Sequence, residues 1–278
     1  MDNIKVSIFG ADGYVCQIPR IKEGMKELGH IVTNDQPDLI YSNDPRGYEE
    51  SIKLKRKNPN SYLILNFLDI PWHIPNAEEQ TELLVKKYFS IADSITVISF
   101  KVQKDLSKFY EKKITVIYNP VKDVYLDKNI KKNNIFFYVG RVFDPVKRFK
   151  LVKESLSKIN DGENNLKVCG LKNPNFGKYL GIIKDQELNT IYNSSKFLLL
   201  PSMAEGLGLP MIESMICGSI PITCSDNLTA KEFSPPEFIS EPNAQSIINK
   251  IEELDRDYEN KRNLALKFGE KYKNQFDK

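Results

Sequence analysis

Histidine is nearly missing from this chain: only His30 and His73 occur in 278 residues, beside four cysteines, Cys16, Cys169, Cys217 and Cys224, that never fall into a CxxC spacing. A structural zinc centre needs a full set of closely spaced soft ligands, so no metal and no metal-dependent cofactor are expected. The same cysteine pattern argues against a disulfide framework and fits a reduced, cytoplasmic compartment. Long apolar runs are also lacking. The nearest approach to the roughly 20 residues of a membrane span is FLLLP at 197–201, and the opening MDNIKVSIFG has neither the basic start nor the apolar stretch of a signal peptide. No transmembrane segment is expected, and any membrane contact would be peripheral. Neither sign of charge dominates, with 40 basic and 37 acidic residues and a formal net charge of +3, which excludes a polybasic nucleic-acid-binding domain.

What is present is enough apolar material, 41% of the residues, for sizeable cores in two domains. Short runs rich in β-branched and aromatic residues recur between helix-length segments, the pattern of parallel strands joined by crossover helices. The fold class is therefore α/β. Strands are predicted at 4–9, 38–41, 61–66, 94–98 and 114–117, then in a second series at 135–139, 166–169, 196–200 and 220–223. Pro19 reads as a first-turn proline opening a helix that Gly29 stops, and a long helix is predicted from Ala77 to Ile91. The polar stretch NPVKDVYLDKNIKKNN reads as an exposed linker, dividing the chain into domains 1–120 and 121–278. Lys53, Lys55, Arg56 and Lys57 form a local cluster that could meet phosphates of a membrane or of DNA; the plainer reading is a solvated helix end.

The stretch PSMAEGLGLPMIESMICGSIPIT, 201–223, carries the densest chemistry. It reads as strand, glycine loop, helix, strand. Gly206 and Gly208 let backbone amides approach a ligand closely, and the start of the helix after them offers unpaired N–H donors to a diphosphate. Glu213, one turn into that helix, can accept from vicinal ribose hydroxyls.

The full string resembles the EGFGLPxxEAMACGxPV signature of retaining nucleotide-sugar glycosyltransferases of family 4, within glycosyl transferases group 1. That resemblance implies the GT-B fold, two Rossmann-like domains whose parallel sheets face across a cleft. The N-terminal domain would then take the acceptor and the C-terminal domain the nucleotide sugar. It implies Glu213 at the donor ribose, Glu205 at the transferring sugar, and Gly206, Leu207, Gly208 and Leu209 in the donor loop. Upstream, YVGRVFDPVKRF is similar to the family's YVGR strand end and lysine loop, which places Gly140, Arg141 and Lys147 at the diphosphate, with Lys150 as a substitute for Lys147. Two cations there would stabilise the charge on the leaving nucleotide, the task a metal performs elsewhere.

The first half carries fainter likenesses. Ser99, Asn119 and Pro120 match a family segment leading to the crossover between domains, and Gly13 matches the glycine of the first loop, which the resemblance places near the donor phosphates. NFLDIPWHIP departs from the family: Leu68 stands where a histidine usually precedes Asp69, so the acceptor side falls to Asp69 and, as a replacement or as an ordinary loop residue, His73. The expected activity is retaining transfer of a hexose from a UDP- or GDP-sugar to a glycan, a lipid-linked sugar or a modified DNA base. The alternative is a nucleotide-sugar-binding protein of the same fold that has lost transfer.

Overall fold

The computed structural model describes residues 3–10, 18–70 and 75–276, with side chains as far as 273. The chain divides into two compact units, Met1–Asn119 and Pro120–Lys278. In the first, β1 (Lys5–Phe9), α1 (Ile18–Glu27), β2 (Ile31–Val32), β3 (Leu39–Ser42), α2 (Tyr48–Lys57), β4 (Tyr62–Phe67), α3 (Ala77–Leu84), β5 (Ser94–Val97), α4 (Phe100–Leu106) and β6 (Ile114–Val116) follow one another. The strands form one six-stranded parallel sheet in the order β2-β1-β3-β4-β5-β6.

The predicted first helix stands, with Pro19 in its first turn and Gly29 at φ +85 just past its end. The helix predicted from Ala77 to Ile91 begins as α3 and then changes winding, with Val85–Phe89 forming a π-helical turn that ends it. Ser99 starts α4 by accepting the Val102 N–H at 3.2 Å, the N-cap that a serine between strand and helix is suited to supply.

The second unit contains β7 (Asn133–Val139), α5 (Phe149–Leu156), β8 (Leu166–Cys169), β9 (Lys178–Gly181), α6 (Asp185–Ser194), β10 (Ser195–Leu199), α7 (Leu209–Ile216), β11 (Ile220–Cys224), α8 (Leu228–Phe233), β12 (Ile239–Ser240), α9 (Ala244–Arg256) and α10 (Tyr258–Phe276). Its sheet is also six-stranded, ordered β12-β11-β10-β7-β8-β9, with every ladder parallel. Central strands are covered on both faces, which is why Phe136, Phe137 and Tyr138 are consecutive and all buried. Burying each such ring stabilises the fold by roughly 1.5–3 kcal/mol.

Residues 120–132 correct the expected exposed linker. Val121, Tyr125 and Lys132 are buried in the second unit and several polar residues between them have partners there, while Asp123 and residues 128–131 are exposed as a linker would be. The Tyr125 hydroxyl donates to Asp185 at 2.8 Å, Lys128 N–H to Asn193 at 2.7 Å, and Arg262 to Asp127 at 2.7 Å. Polar composition suggested solvent, but these groups are satisfied by side chains distant in sequence.

Candidate functional site

In the second unit the chain runs outward from β7 through β8 to β9, then returns to β10 and continues the other way. The order is that of a doubly wound dinucleotide-type sheet, whose switch point lies between β7 and β10. Connections leave those two strands toward opposite sides, so their carboxyl ends open a crevice where such sheets take ligands.

Glycine lets the chain leave β7 close to its neighbour. Gly140 has φ +153, and a Cβ added at Gly170, beyond the end of β8, would lie 2.3 Å from the Gly140 carbonyl oxygen. Below this floor the Tyr138 ring packs edge-on against Phe149 at 4.8 Å. Its hydroxyl would lie 3.3 Å from a Cβ at Gly140 and is buried with no hydrogen-bond partner among the described residues.

The loop after β7 then turns back through a 3-10 turn, Pro145–Lys147, capped by Asp144, which accepts the Val146 N–H at 3.0 Å. Asp144 also holds Arg141, whose guanidinium approaches to 2.6 Å while the arginine side chain stays 64% exposed. The loop after β10 is stitched to this one by a backbone bond from Met203 N–H to Val146 C=O at 2.8 Å. That stitch brings Lys147 to Glu205: its ammonium donates to both carboxylate oxygens, at 2.6 and 2.7 Å. Both side chains are largely buried. Lys150, by contrast, points to solvent and pairs with Glu154 at 3.6 Å. From α8, the Thr229 hydroxyl donates to the Glu205 carbonyl. Arg148 grips Asp226, beyond β11, with a two-pronged contact at 3.0 and 2.5 Å.

Gly206 is not among the residues with positive φ; Gly208, at φ +75, is the glycine that makes the turn into α7, with Leu207 buried before it and Leu209 as the first helical residue. Glu213 is only 4% exposed, and its Oε2 accepts from the Tyr192 hydroxyl at 3.3 Å. Burial first, then the Glu213 charge, holds the Tyr192 phenol well above its ordinary range, so it stays a donor.

In the first unit, Asp69 follows β4 and accepts from Lys101 at 2.5 Å and from the Ile70 N–H at 2.9 Å. Lys101 is nearly buried and also lies 3.4 Å from Asp105. Burial raises the Asp69 carboxyl against the opposing pull of Lys101. Gly13 and His73 lie outside the described residues. Of the basic cluster on α2, Lys53 is paired with Glu50 at 2.7 Å and Lys55 with Asp93 at 2.9 Å, which leaves less free charge than the run of letters suggests. Among the described residues no three His, Cys, Asp or Glu side chains gather as metal ligands, and no helix is long and apolar enough to cross a membrane.

The structure therefore brings Lys147 to Glu205 and Glu213 to Tyr192, and sets Arg141 on Asp144. Sequence reasoning missed Asp144, Tyr138, Gly170, Thr229 and Lys101. Asp144 had a legible signal, an aspartate before Pro145 at the start of a turn; the others are placed by tertiary packing.

A doubly wound sheet with a cation–carboxylate pair and a glycine-entered helix at its switch point is an arrangement of the kind in which α/β proteins hold ligands. The family model described as glycosyl transferases group 1 matches residues 126–275, more than half of the chain, and the chain belongs to that family. The O-antigen chain mannosyltransferase RfbU of Salmonella typhimurium is 26% identical over 176 residues, 56% of this chain and 49% of that protein. The O-antigen chain mannosyltransferase B of Escherichia coli is 34% identical over 67 residues, 24% of this chain and 17% of that protein. A putative glycosyltransferase of a Sulfolobus islandicus filamentous virus is 27% identical over 142 residues, half of this chain and 42% of its own. The matched stretch thus spans half or less of each of these curated relatives.

Among solved structures, Anabaena HepE in complex with UDP and glucose superposes with a TM-score of 0.78 at 16% identity, covering 99% of this chain and 96% of that one. A glycosyltransferase from Rickettsia africae gives 0.72 at 16% identity, covering 99% and 94%. The likeness shows the fold, which is GT-B.

Proposed function

We propose that this chain is a retaining, metal-independent glycosyltransferase that binds a UDP- or GDP-hexose in its second unit, domain 121–278, and takes its acceptor from domain 1–120. The observation that carries the reading is the pairing of Lys147 with Glu205 at the β7–β10 switch point, inside the region that matches the family. A diphosphate at this crevice would meet Lys147, Arg141, the Gly140 backbone and the open first turn of α7 beyond Gly208. Lys147 and Arg141 would stabilise the charge that accumulates on the leaving diphosphate, and a fixed cation in a poorly hydrated cleft does so with little reorganisation. Glu213, at the inner end of the same helix turn, would accept from the ribose hydroxyls while Tyr192 holds it in place. Glu205 would then face the transferred hexose. Titratable groups in position to donate or accept protons at the sugar are few, so the leaving phosphate oxygen takes the acceptor proton in this scheme.

The HepE structures, one with UDP and glucose and another with UDP-glucose, support a nucleotide-sugar donor, and the mannosyltransferase relatives support a hexose. The test is calorimetric titration with UDP, GDP and their glucose and mannose conjugates in EDTA. One nucleotide series should bind. Lys147→Ala should weaken that binding and slow turnover, and Glu213→Ala should chiefly weaken nucleotide binding, each by about tenfold or more, as expected for lost charge-assisted hydrogen bonds. Wild-type affinity in both variants would show the donor site to be misplaced.

A further inference from the structure

An ammonium has three N–H donors, and Lys147 gives two of them to Glu205. A diphosphate that takes the third N–H and pulls the ammonium toward itself would weaken at least one of those two bonds, at a carboxylate whose side chain is only 12% exposed. A buried carboxylate that loses a donor is disfavoured, so a second donor nearby stabilises it.

Among the described residues, β7 carries such a group. The Tyr138 hydroxyl is fully buried and has no hydrogen-bond partner among the described residues, on a ring clamped by Phe149 directly beneath Gly140. Sequestering a phenol without a partner is unfavourable by itself, and such exceptions in a well-packed core call for an explanation. The group also senses its surroundings: after burial, the charges of Glu205 and then Asp144 hold the phenol above its ordinary range, so it remains a proton donor facing acidic neighbours. Tyr138 stands on β7 and Glu205 on the loop after its neighbour β10, with Lys147 on the loop after β7, so all three belong to the two strands of the switch point.

We propose that Tyr138 is a positioning residue for Glu205: its hydroxyl donates to the Glu205 carboxylate when the donor diphosphate takes up Lys147, keeping Glu205 charged and aimed at the sugar. This rests on the donor-site reading above. It makes Tyr138 unhelpful to the protein alone and useful to the complex, and that opposition of sign separates positioning from ordinary packing.

The experiment is Tyr138→Phe, alone and in a Glu205→Gln background, with two readouts. The first is the melting temperature without nucleotide; the second is the affinity for whichever of UDP, GDP or their hexose conjugates binds the wild type most tightly, in EDTA. Tyr138→Phe should leave the melting temperature unchanged or raise it, because no satisfied hydrogen bond is lost, yet weaken nucleotide-sugar binding by about tenfold, the loss of one hydrogen bond to a charged group. In the Glu205→Gln background the same change should have little effect, since a neutral amide makes a weaker demand for a donor. Wild-type affinity in Tyr138→Phe would overturn the inference while leaving the donor site standing. A fall in melting temperature and affinity together, or an undiminished effect in the Glu205→Gln background, would overturn it in favour of simple packing. If the wild type binds none of the nucleotides, both the inference and the reading beneath it fail.

Discussion

The Lys147–Glu205 pair sits where two loops meet, and both side chains are more buried than solvated. Each therefore depends on the other for compensation, unlike a surface pair, which contributes little. Lys147→Ala should destabilise the protein by about 1–3 kcal/mol, chiefly because Glu205 is left without its donors. Removing both in Lys147→Ala/Glu205→Ala should recover part of that loss. A urea-denaturation double-mutant cycle measures the coupling; additive losses would mean that the two groups do not interact in solution. The lysine was legible from its position in a lysine-bearing loop, and Glu205 from the glycine string. That each neutralises the other was not legible, because 58 positions separate them and only the β7–β10 adjacency brings their loops together.

At the scale of elements, α7 carries Glu213 and is backed by α10. The two helices approach closely enough that a Cβ at Gly269 would lie 2.5 Å from Ile216 N and 2.7 Å from the Met215 carbonyl carbon. These are backbone atoms, so no rotamer change relieves the contact. Gly269→Ala should cost about 3 kcal/mol by overpacking, and by displacing α7 it should also weaken nucleotide binding; thermal melts with and without nucleotide check both effects. An unchanged melting temperature would show that α10 sits further out in solution. The strands that sequence reading missed are β2, β9 and β12, three of the four sheet edges. These three are short or poorly covered: Ile31–Val32 is exposed or half-exposed, Lys178–Gly181 has no buried residue and Ile239–Ser240 is two residues long, whereas the fourth edge strand, β6, buries Ile114 and was legible from its apolar letters. Central strands announced themselves because both faces are covered.

For the whole molecule, the buried thiols set a pH dependence. Burial pushes Cys169 and Cys217 up to about 12 and Cys224 up to about 11, against an ordinary value of 9.0. Above pH 9 the unfolded chain releases these protons and the folded chain does not, so the unfolded state is favoured and stability falls. Lys132 works the other way. It donates to the Tyr192 and Cys217 carbonyls, at 2.9 and 2.5 Å, and its burial lowers it from 10.5 to about 8. Between those values the folded state holds fewer protons than the unfolded one, and stability rises with pH. One lysine acting from pH 8 is outweighed by three thiols acting from pH 9, at up to about 1.4 kcal/mol per proton per pH unit. The midpoint of urea unfolding should therefore climb slightly to near pH 9 and then fall. A midpoint that held steady to pH 11 would mean that the thiols are solvated.

Sequence alone determined the α/β class, eight inner strands and the edge strand β6, and the glycine-rich and lysine-bearing loops as strings of letters, since these depend on local periodicity, turn chemistry and an ordered motif along one stretch of chain. The tertiary structure alone decided that 120–132 is bound to the second unit, that Lys147 rather than Lys150 meets Glu205, that Glu213 is enclosed with Tyr192, and that the Tyr138 hydroxyl beneath Gly140 has no partner among the described residues. The physical reason is common to all four. Each is a choice of partner for a polar group, and partners are set by which strands lie side by side, an ordering in which β10 returns to β7 across two intervening strands of sequence.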